Sequence, residues 1–160
     1  MPLEIERKFL VTGDAWRREV ARSRDMRQGY LVAESGKASV RVRLDGDEGR
    51  LNIKAAVIGM SRAEYDYAIP ADEAAEMLAQ LCLGRLEKTR HYVDRDGLTW
   101  EIDEFHGDND GLVVAEVELA DEHQAFARPQ WLGTEVTDDR RYYNHHLALH
   151  PYRTWHASRD

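Results

Sequence analysis

A single cysteine in 160 residues sets the first limit. Cys82 has no partner, which excludes disulfides and cysteine-based zinc sites and leads us to expect a reducing compartment. Long apolar runs are missing as well: none approaches the ~18 residues that a membrane-spanning helix needs. The opening Met-Pro-Leu-Glu-Ile-Glu-Arg carries charge where a signal peptide carries its apolar stretch. A cytoplasmic location without a membrane partner is therefore the expectation. Basic residues are in deficit, with 22 Lys and Arg against 30 Asp and Glu, and the formal net charge of -8 argues against a general nucleic-acid surface. Glycine-rich phosphate loops are absent in both the G-x-x-x-x-G-K and G-x-G-x-x-G forms, so phosphate would have to be held by side chains. No stretch rich in Pro, Gly or Ser interrupts the chain as a linker, and neither internal repeats nor low-complexity segments occur.

What remains is a chain long enough to bury a core as one domain, with 42% hydrophobic and 32% charged residues, a composition that excludes a disordered tail. Period-2 alternation between turn signals marks about eight strands, over 3–11, 27–33, 38–45, 50–56, 61–69, 86–94, 98–105 and 111–119. Hairpin punctuation at Asp45-Gly46-Asp47-Glu48-Gly49, Asp94-Arg95-Asp96-Gly97 and Gly107-Asp108-Asn109-Asp110-Gly111 predicts that consecutive strands pair as neighbours. Helical patterns fall at 14–23, 71–83, 121–128 and 137–148, the second bounded by Pro70 and Gly84 with a stripe of Ala74, Met77, Leu78 and Leu81. The single domain is expected over 1–150, and 151–160 reads as a loosely held tail.

The polar faces of these strands are sorted by sign. Successive side chains leave opposite faces of a strand, so Glu4, Glu6 and Lys8 stand opposite Leu3, Ile5 and Phe9. Arg41 and Arg43 share one face, Glu64 and Asp66 another, and Lys54 lies opposite Leu51 and Ile53. The pattern continues in Lys88 with Arg90, Glu101 with Asp103, and Glu116 with Glu118. On any one strand this describes a solvated face. Solvated faces usually mix signs, however, because like charges two apart or directly across a pair are unfavourable by a few tenths of a kcal/mol. Repeated like-charge pairs persist more readily when ligands neutralise them, cations on the carboxylates and a polyanion on the Lys and Arg rows. Carboxylate oxygens suit hard cations such as Mg²⁺ or Mn²⁺, and arginine forks suit phosphate. The expected fold class is α+β, mainly β: a closed eight-stranded antiparallel barrel, charged within, with helices packed outside.

Taken in order, the motifs Glu4-Ile5-Glu6-Arg7-Lys8, Arg27-Gln28-Gly29-Tyr30-Leu31, Arg41-Val42-Arg43, Lys54, Glu64, Glu87-Lys88-Thr89-Arg90, Glu101-Ile102-Asp103, Glu116-Val117-Glu118 and Thr137-Asp138-Asp139-Arg140-Arg141-Tyr142 resemble the triphosphate tunnel metalloenzymes, or CYTH superfamily. The likeness spans roughly residues 3 to 148, and its first piece is the Glu-x-Glu-x-Lys signature at the N-terminal position where that family has it. The resemblance implies an eight-stranded tunnel that binds a triphosphate with Mg²⁺ or Mn²⁺. It implies Lys8, Arg41, Arg43, Lys54, Lys88 and Arg90 as phosphate ligands, and Glu4, Glu6, Asp103, Glu116 and Glu118 as the metal-binding group, with Glu64 and Glu101 as further metal candidates. Arg140 resembles the basic residue that the family presents from a helix plugging one tunnel mouth, often as Lys. The implied activity is hydrolysis of inorganic tripolyphosphate, a small-molecule substrate, to pyrophosphate and phosphate. Thiamine triphosphatase, class IV adenylyl cyclase and a non-catalytic polyphosphate-binding module are the alternatives, and the oligomeric state stays open.

Other residues carry weaker signals. Tyr30 either reaches into the tunnel toward phosphate or serves as a wall tyrosine. The histidines His91, His106, His123, His145, His146, His150 and His156 have no convincing metal spacing, although His146 and His150 stand four apart on a helical pattern. Trp16, Trp100, Trp131 and Trp155 read as packing residues.

Overall fold

Alternating segments become strands wherever a turn can return the chain. The computed structural model describes residues 2–33 and 36–155. Among them are nine strands: β1 (Leu3–Val11), β2 (Arg22–Val32), β3 (Ala38–Asp45), β4 (Glu48–Ala55), β5 (Ser61–Ile69), β6 (Gly84–Arg95), β7 (Leu98–Phe105), β8 (Val113–Glu118) and β9 (Leu132–Glu135). Three helices accompany them, α1 (Ala71–Gln80), α2 (Asn144–Leu149) and α3 (Tyr152–Trp155). Asp96 and Gly97 join β6 to β7, both at positive φ (53° and 78°), the requirement of a two-residue type I′ hairpin whose twist matches the flanking strands.

All pairings are antiparallel, in the order β5-β4-β3-β2-β6-β7-β8-β1, and β1 also pairs with β5 to close an eight-stranded barrel. The expected α+β, mainly β barrel is the observed one. Neighbours in sequence pair within β2 to β5 and within β6 to β8, as the hairpins predict. The expectation fails at β1 and at the β5 to β6 step, where α1 crosses outside the barrel and buries Ala74 and Leu78 against Val42. β1 works on two edges. Along one it pairs with β8, from Glu6↔Glu118 to Leu10↔Val114; along the other it pairs with β5 at residues 3–5 and with β9 at residues 9–11.

The apolar core lies outside the barrel wall, because every barrel strand but β2 turns charged side chains inward, and β2 turns Tyr30 inward. Its largest cluster joins Phe9, Trp100, Ile102, Val93, Ala115 and Val117 of the wall to Trp16, Leu119 and Trp131 of the covering segments. A second cluster joins Leu86, Phe105 and Val114 to Tyr142, Leu147 and Trp155. All four tryptophans are packing residues at 9% exposure or less.

Several helical readings give way to tertiary pairing. The 14–23 pattern yields only a 3₁₀ turn, Ala15–Glu19, because Arg22–Met26 pairs with β6 and extends β2 five residues before its expected start. Polar residues on an edge-like segment carry no strand signal of their own; the partner strand supplies it. The 121–128 segment is irregular, tied by the Asp121 carboxylate accepting from the His123 N–H and by Phe126 packed on the main cluster. The 137–148 pattern divides into a 3₁₀ turn, Arg140–Tyr142, and α2, because Tyr143 between them is extended (φ −72°, ψ 139°). β9 was not foreseen. Of the expected tail, Tyr152–Trp155 forms α3 and Trp155 packs edge-on against Tyr142, while 156–160 lie outside the described residues.

Where α2 meets the barrel, a β-carbon on Gly84 would overlap the Ala148 carbonyl and lie 2.8 Å from Leu149 Cδ2. The helix therefore rests on bare backbone. Gly84→Ala is expected to destabilise the protein by about 1–3 kcal/mol through overpacking, read as a lower urea midpoint; an unchanged midpoint would show that α2 is not seated there.

Candidate active site

The barrel encloses a cavity of about 130 Å³ to which every barrel strand contributes. β1 supplies Glu4, Glu6 and Lys8; β2 supplies Tyr30; β3 supplies Ser39, Arg41 and Arg43; and β4 supplies Asn52 and Lys54. Arg62, Glu64 and Asp66 come from β5, Lys88 and Arg90 from β6, Glu101 from β7, and Glu116 and Glu118 from β8. Seven basic and seven acidic side chains line the space. The net charge of -8 thus resides elsewhere on the chain, and bulk charge says nothing against an anionic ligand.

Two site residues expected from the sequence stand apart from this lining. Asp103 lies in the wall, 1% exposed, with both oxygens engaged by Arg90 (2.8 and 2.9 Å) and one also by Lys88 Nζ at 2.8 Å. Three of its roughly four acceptor sites are engaged in orienting two cations. Arg140 is exposed and lines a neighbouring recess that shares Ser39, Arg62 and His145 with the barrel cavity. That position is beside a mouth, outside the tunnel proper.

On the basic side, Arg90 forks onto Asp103 and also reaches Glu101, and these carboxylates keep its guanidinium charged against the cost of burial. Burial lowers Lys88 to about 7, reinforced by Arg90 and Arg43 and opposed by Asp103. Arg43 is pushed down to about 9 by burial beside Arg41 and Arg90, and among the described residues it has no carboxylate within ion-pair distance. Its Nε donates to Gln28 Oε1 at 3.4 Å. Arg41 Nε is buried without a hydrogen-bond partner, and the guanidinium reaches Asp66 only at 4.0 Å. Buried Arg41 and half-buried Arg43 are therefore positive charges with almost nothing to neutralise them, and an anionic ligand in the cavity would supply the counter-charge.

On the acidic side, Glu6 stands directly across from Glu118 and Glu101 directly across from Glu116, two like-charge pairs on three adjacent strands. Burial, with Glu116 and Glu4 adding to it, raises the Glu6 carboxyl to about 8. Glu118 is raised by burial and by Glu4, Glu101 and Glu64. Glu116 is held well below the ordinary range: burial opposes this, and Lys8, Arg90 and Lys88 overcome it. Lys54 Nζ lies 3.1 Å from Glu4 Oε1, yet that buried oxygen accepts no aligned hydrogen bond. This all-oxygen donor set, with like charges facing each other, fits a hard divalent cation. Among the described residues no three ligating groups already converge on one point, so side-chain rotation and phosphate oxygens would have to complete a coordination shell.

The chain after β9 adds residues that the alternation pattern could not reveal. Tyr142 O accepts from Lys8 Nζ at 3.3 Å, and Lys8 and Arg62 each lie 5.0 Å from the Tyr143 ring centroid. Asn144 and His145 complete the lining. Arg62 was also missed, although it alternates with Glu64 and Asp66 and the same period would have found it. Tyr30 does reach the cavity, 5% exposed, and its hydroxyl accepts from Gln28 Nε2 at 3.4 Å. His156 lies outside the described residues.

A sequence model of the CYTH domain matches residues 2–144. The chain belongs to the CYTH family. Among its CYTH relatives, an inorganic triphosphatase of Acetivibrio thermocellus is 47% identical over 156 residues, covering 97% of this chain and 99% of that protein. An inorganic triphosphatase of Nitrosomonas europaea is 40% identical over 150 residues, covering 91% and 97%. The crystal structure of an inorganic triphosphatase superposes with a TM-score of 0.66 at 37% identity, covering 91% of this chain and 97% of that one. A protein from Pyrococcus furiosus, with a TM-score of 0.58 at 18% identity over 75% of this chain and 80% of that one, shares the fold.

The crowded carboxylates of this CYTH barrel make its stability depend on pH. Glu6 titrates near 4.5 when unfolded and near 8 when folded. Between about pH 5 and pH 7 the unfolded chain gives up a proton that the folded protein keeps, so the metal-free protein loses stability as pH rises. The loss assigned to Glu6 over that window is on the order of 2 kcal/mol. Urea unfolding at both pH values should show the wild type falling more steeply than Glu6→Gln; equal slopes would remove Glu6 as the cause.

Proposed function

We propose that the chain hydrolyses inorganic triphosphate to pyrophosphate and phosphate inside the barrel. The observation that carries this reading is the pair of β3 arginines, Arg41 buried and Arg43 half-buried, left almost without counter-charge in an enclosed cavity whose other residues are polar and largely charged. The relatives named inorganic triphosphatase, 47% and 40% identical over nearly the whole chain, support it. Polar side chains dominate the cavity, with Tyr30 and Tyr143 as its aromatic surfaces. Such a lining favours a bare phosphate chain over a substrate that carries an organic group, which would need an apolar recess.

In this reading Arg41, Arg43, Lys88 and Arg90 hold the phosphate chain, with Lys8 and Lys54 at its flanks. Asp103 orients Arg90 and Lys88. Phosphoryl transfer asks little covalent chemistry of a protein, so alignment and charge neutralisation lower the barrier. Water adds to the terminal phosphorus as the bridging P–O bond breaks, pyrophosphate leaves with the electron pair, and the protons of water end on the products. The cations that gripped the bridging and leaving oxygens take up the charge that develops there. We assign a divalent metal, Mg²⁺ or Mn²⁺, to Glu4, Glu6, Glu116 and Glu118, with Glu64 and Glu101 beside them; when bound it lowers the pKa of the attacking water and screens phosphate oxygens. A cytoplasmic setting suits Cys82, a lone thiol donating to Met77 O at 3.4 Å.

Phosphate release from tripolyphosphate, ATP and thiamine triphosphate with Mg²⁺ or Mn²⁺ tests the assignment, with cyclic AMP assayed in parallel. Tripolyphosphate should be the preferred substrate, and turnover confined to ATP or thiamine triphosphate would overturn the choice. Arg43→Ala and Lys8→Ala should each lower kcat/KM by about 100-fold or more while leaving the urea midpoint near wild type; normal turnover in either would contradict its role.

A further inference from the structure

Resting on the triphosphatase reading, we propose that Asn144 is a positioning residue whose side-chain oxygen directs Lys88 and, through Gln28, Arg43 toward the phosphate chain. Lys88 is 1% exposed and donates to two groups from different parts of the fold, Asp103 at 2.8 Å and Asn144 Oδ1 at 2.9 Å. Asp103 sits in the wall, whereas Asn144 lines the cavity. With Asp103 as its sole partner the ammonium would be drawn against β7. The Asn144 oxygen holds it toward the enclosed space and leaves one N–H for a ligand, since an ammonium has three.

The same oxygen accepts from Gln28 Nε2 at 3.3 Å, and the Gln28 carbonyl accepts from Arg43 Nε at 3.4 Å. Gln28 is 0% exposed. Both neighbours of Asn144 Oδ1 are donors, which fixes the orientation of its amide. The choice of an amide matters. A carboxylate would hold the same two donors, but it would add an anion opposing the substrate.

The residue is presented rigidly. Asn144 opens α2, whose Leu147 is 0% exposed and whose far end rests on the bare backbone at Gly84. Just before it, the Tyr143 hydroxyl donates to Thr137 O at 2.7 Å and accepts from Gly59 N–H at 3.0 Å. Supporting contacts of this kind keep a site within the fraction of an ångström that catalysis needs.

Steady-state hydrolysis of tripolyphosphate with Mg²⁺ tests the proposal in wild type, Asn144→Leu, Asn144→Ala, Asn144→Asp and Lys88→Met, with melting temperatures measured throughout. Asn144→Leu and Asn144→Ala should lower kcat at least about ten-fold with KM within about three-fold, the signature of a group acting in the transition state. Asn144→Asp keeps the acceptor, so kcat should return to within about three-fold of wild type while KM rises several-fold from the added charge. In the Lys88→Met background, Asn144→Leu should cost several-fold less than it does in the wild type, because one of the two groups it acts through is gone and only the Gln28–Arg43 arm remains. Wild-type kcat in a folded Leu or Ala variant overturns the proposal, as does an Asp variant that falls as far as Leu. A wild-type protein that releases no phosphate overturns both this inference and the function it rests on. An active wild type matched by its variants overturns this inference alone.

Discussion

Enclosure of charge is the constraint on which the rest of this molecule depends. Taking an ion out of water costs several kcal/mol even after relaxation, and the cost is recovered only where each charge meets a well-placed partner. Asp103 shows the solution in the wall, where one carboxylate serves both Arg90 and Lys88. Arg43 and Glu6 show where it is left incomplete, the arginine without a carboxylate and the glutamate facing another across the strand pair. These unresolved positions destabilise the empty barrel, and they are where a phosphate chain and a divalent cation would complete the pairing. Stability comes from the other side of the wall, where Phe9, Trp100, Ile102 and Trp131 pack out of water.

Much of the fold was legible because a strand buried on both faces, apolar outside and charged inside, alternates as cleanly as one facing water. Lys8, Arg41, Lys54, Lys88 and Glu116 could be assigned to one enclosed space by period and sign, and they line it. The motif order brought the family with it. The same alternation holds Arg62, a cation on the face of the acids Glu64 and Asp66.

The remainder was illegible for physical reasons. Arg22–Asp25 is polar on both faces and becomes strand only because β6 is there to pair with it. Tyr143 and Asn144 reach the cavity from a break between a 3₁₀ turn and a short helix, where neither period applies. Alternation also cannot separate a charge that lines a cavity from one held in the wall, as Asp103 is by Arg90 and Lys88. Residues contributed by irregular chain are seen only once the barrel exists to receive them.

β1 pairs on one edge with β8 and on the other with β5 and β9, so the chain's earliest strand is the last stave of the barrel. Its partners at residues 113–118 lie about a hundred positions away, and pairings so distant in sequence form slowly because a long loop must close first. During synthesis Glu6 and Lys8 therefore stay without their β8 neighbours until most of the polypeptide has emerged. A truncated product retaining every strand through β7 would carry most of the ligands yet enclose no chamber, which makes competence an all-or-none property of the finished chain.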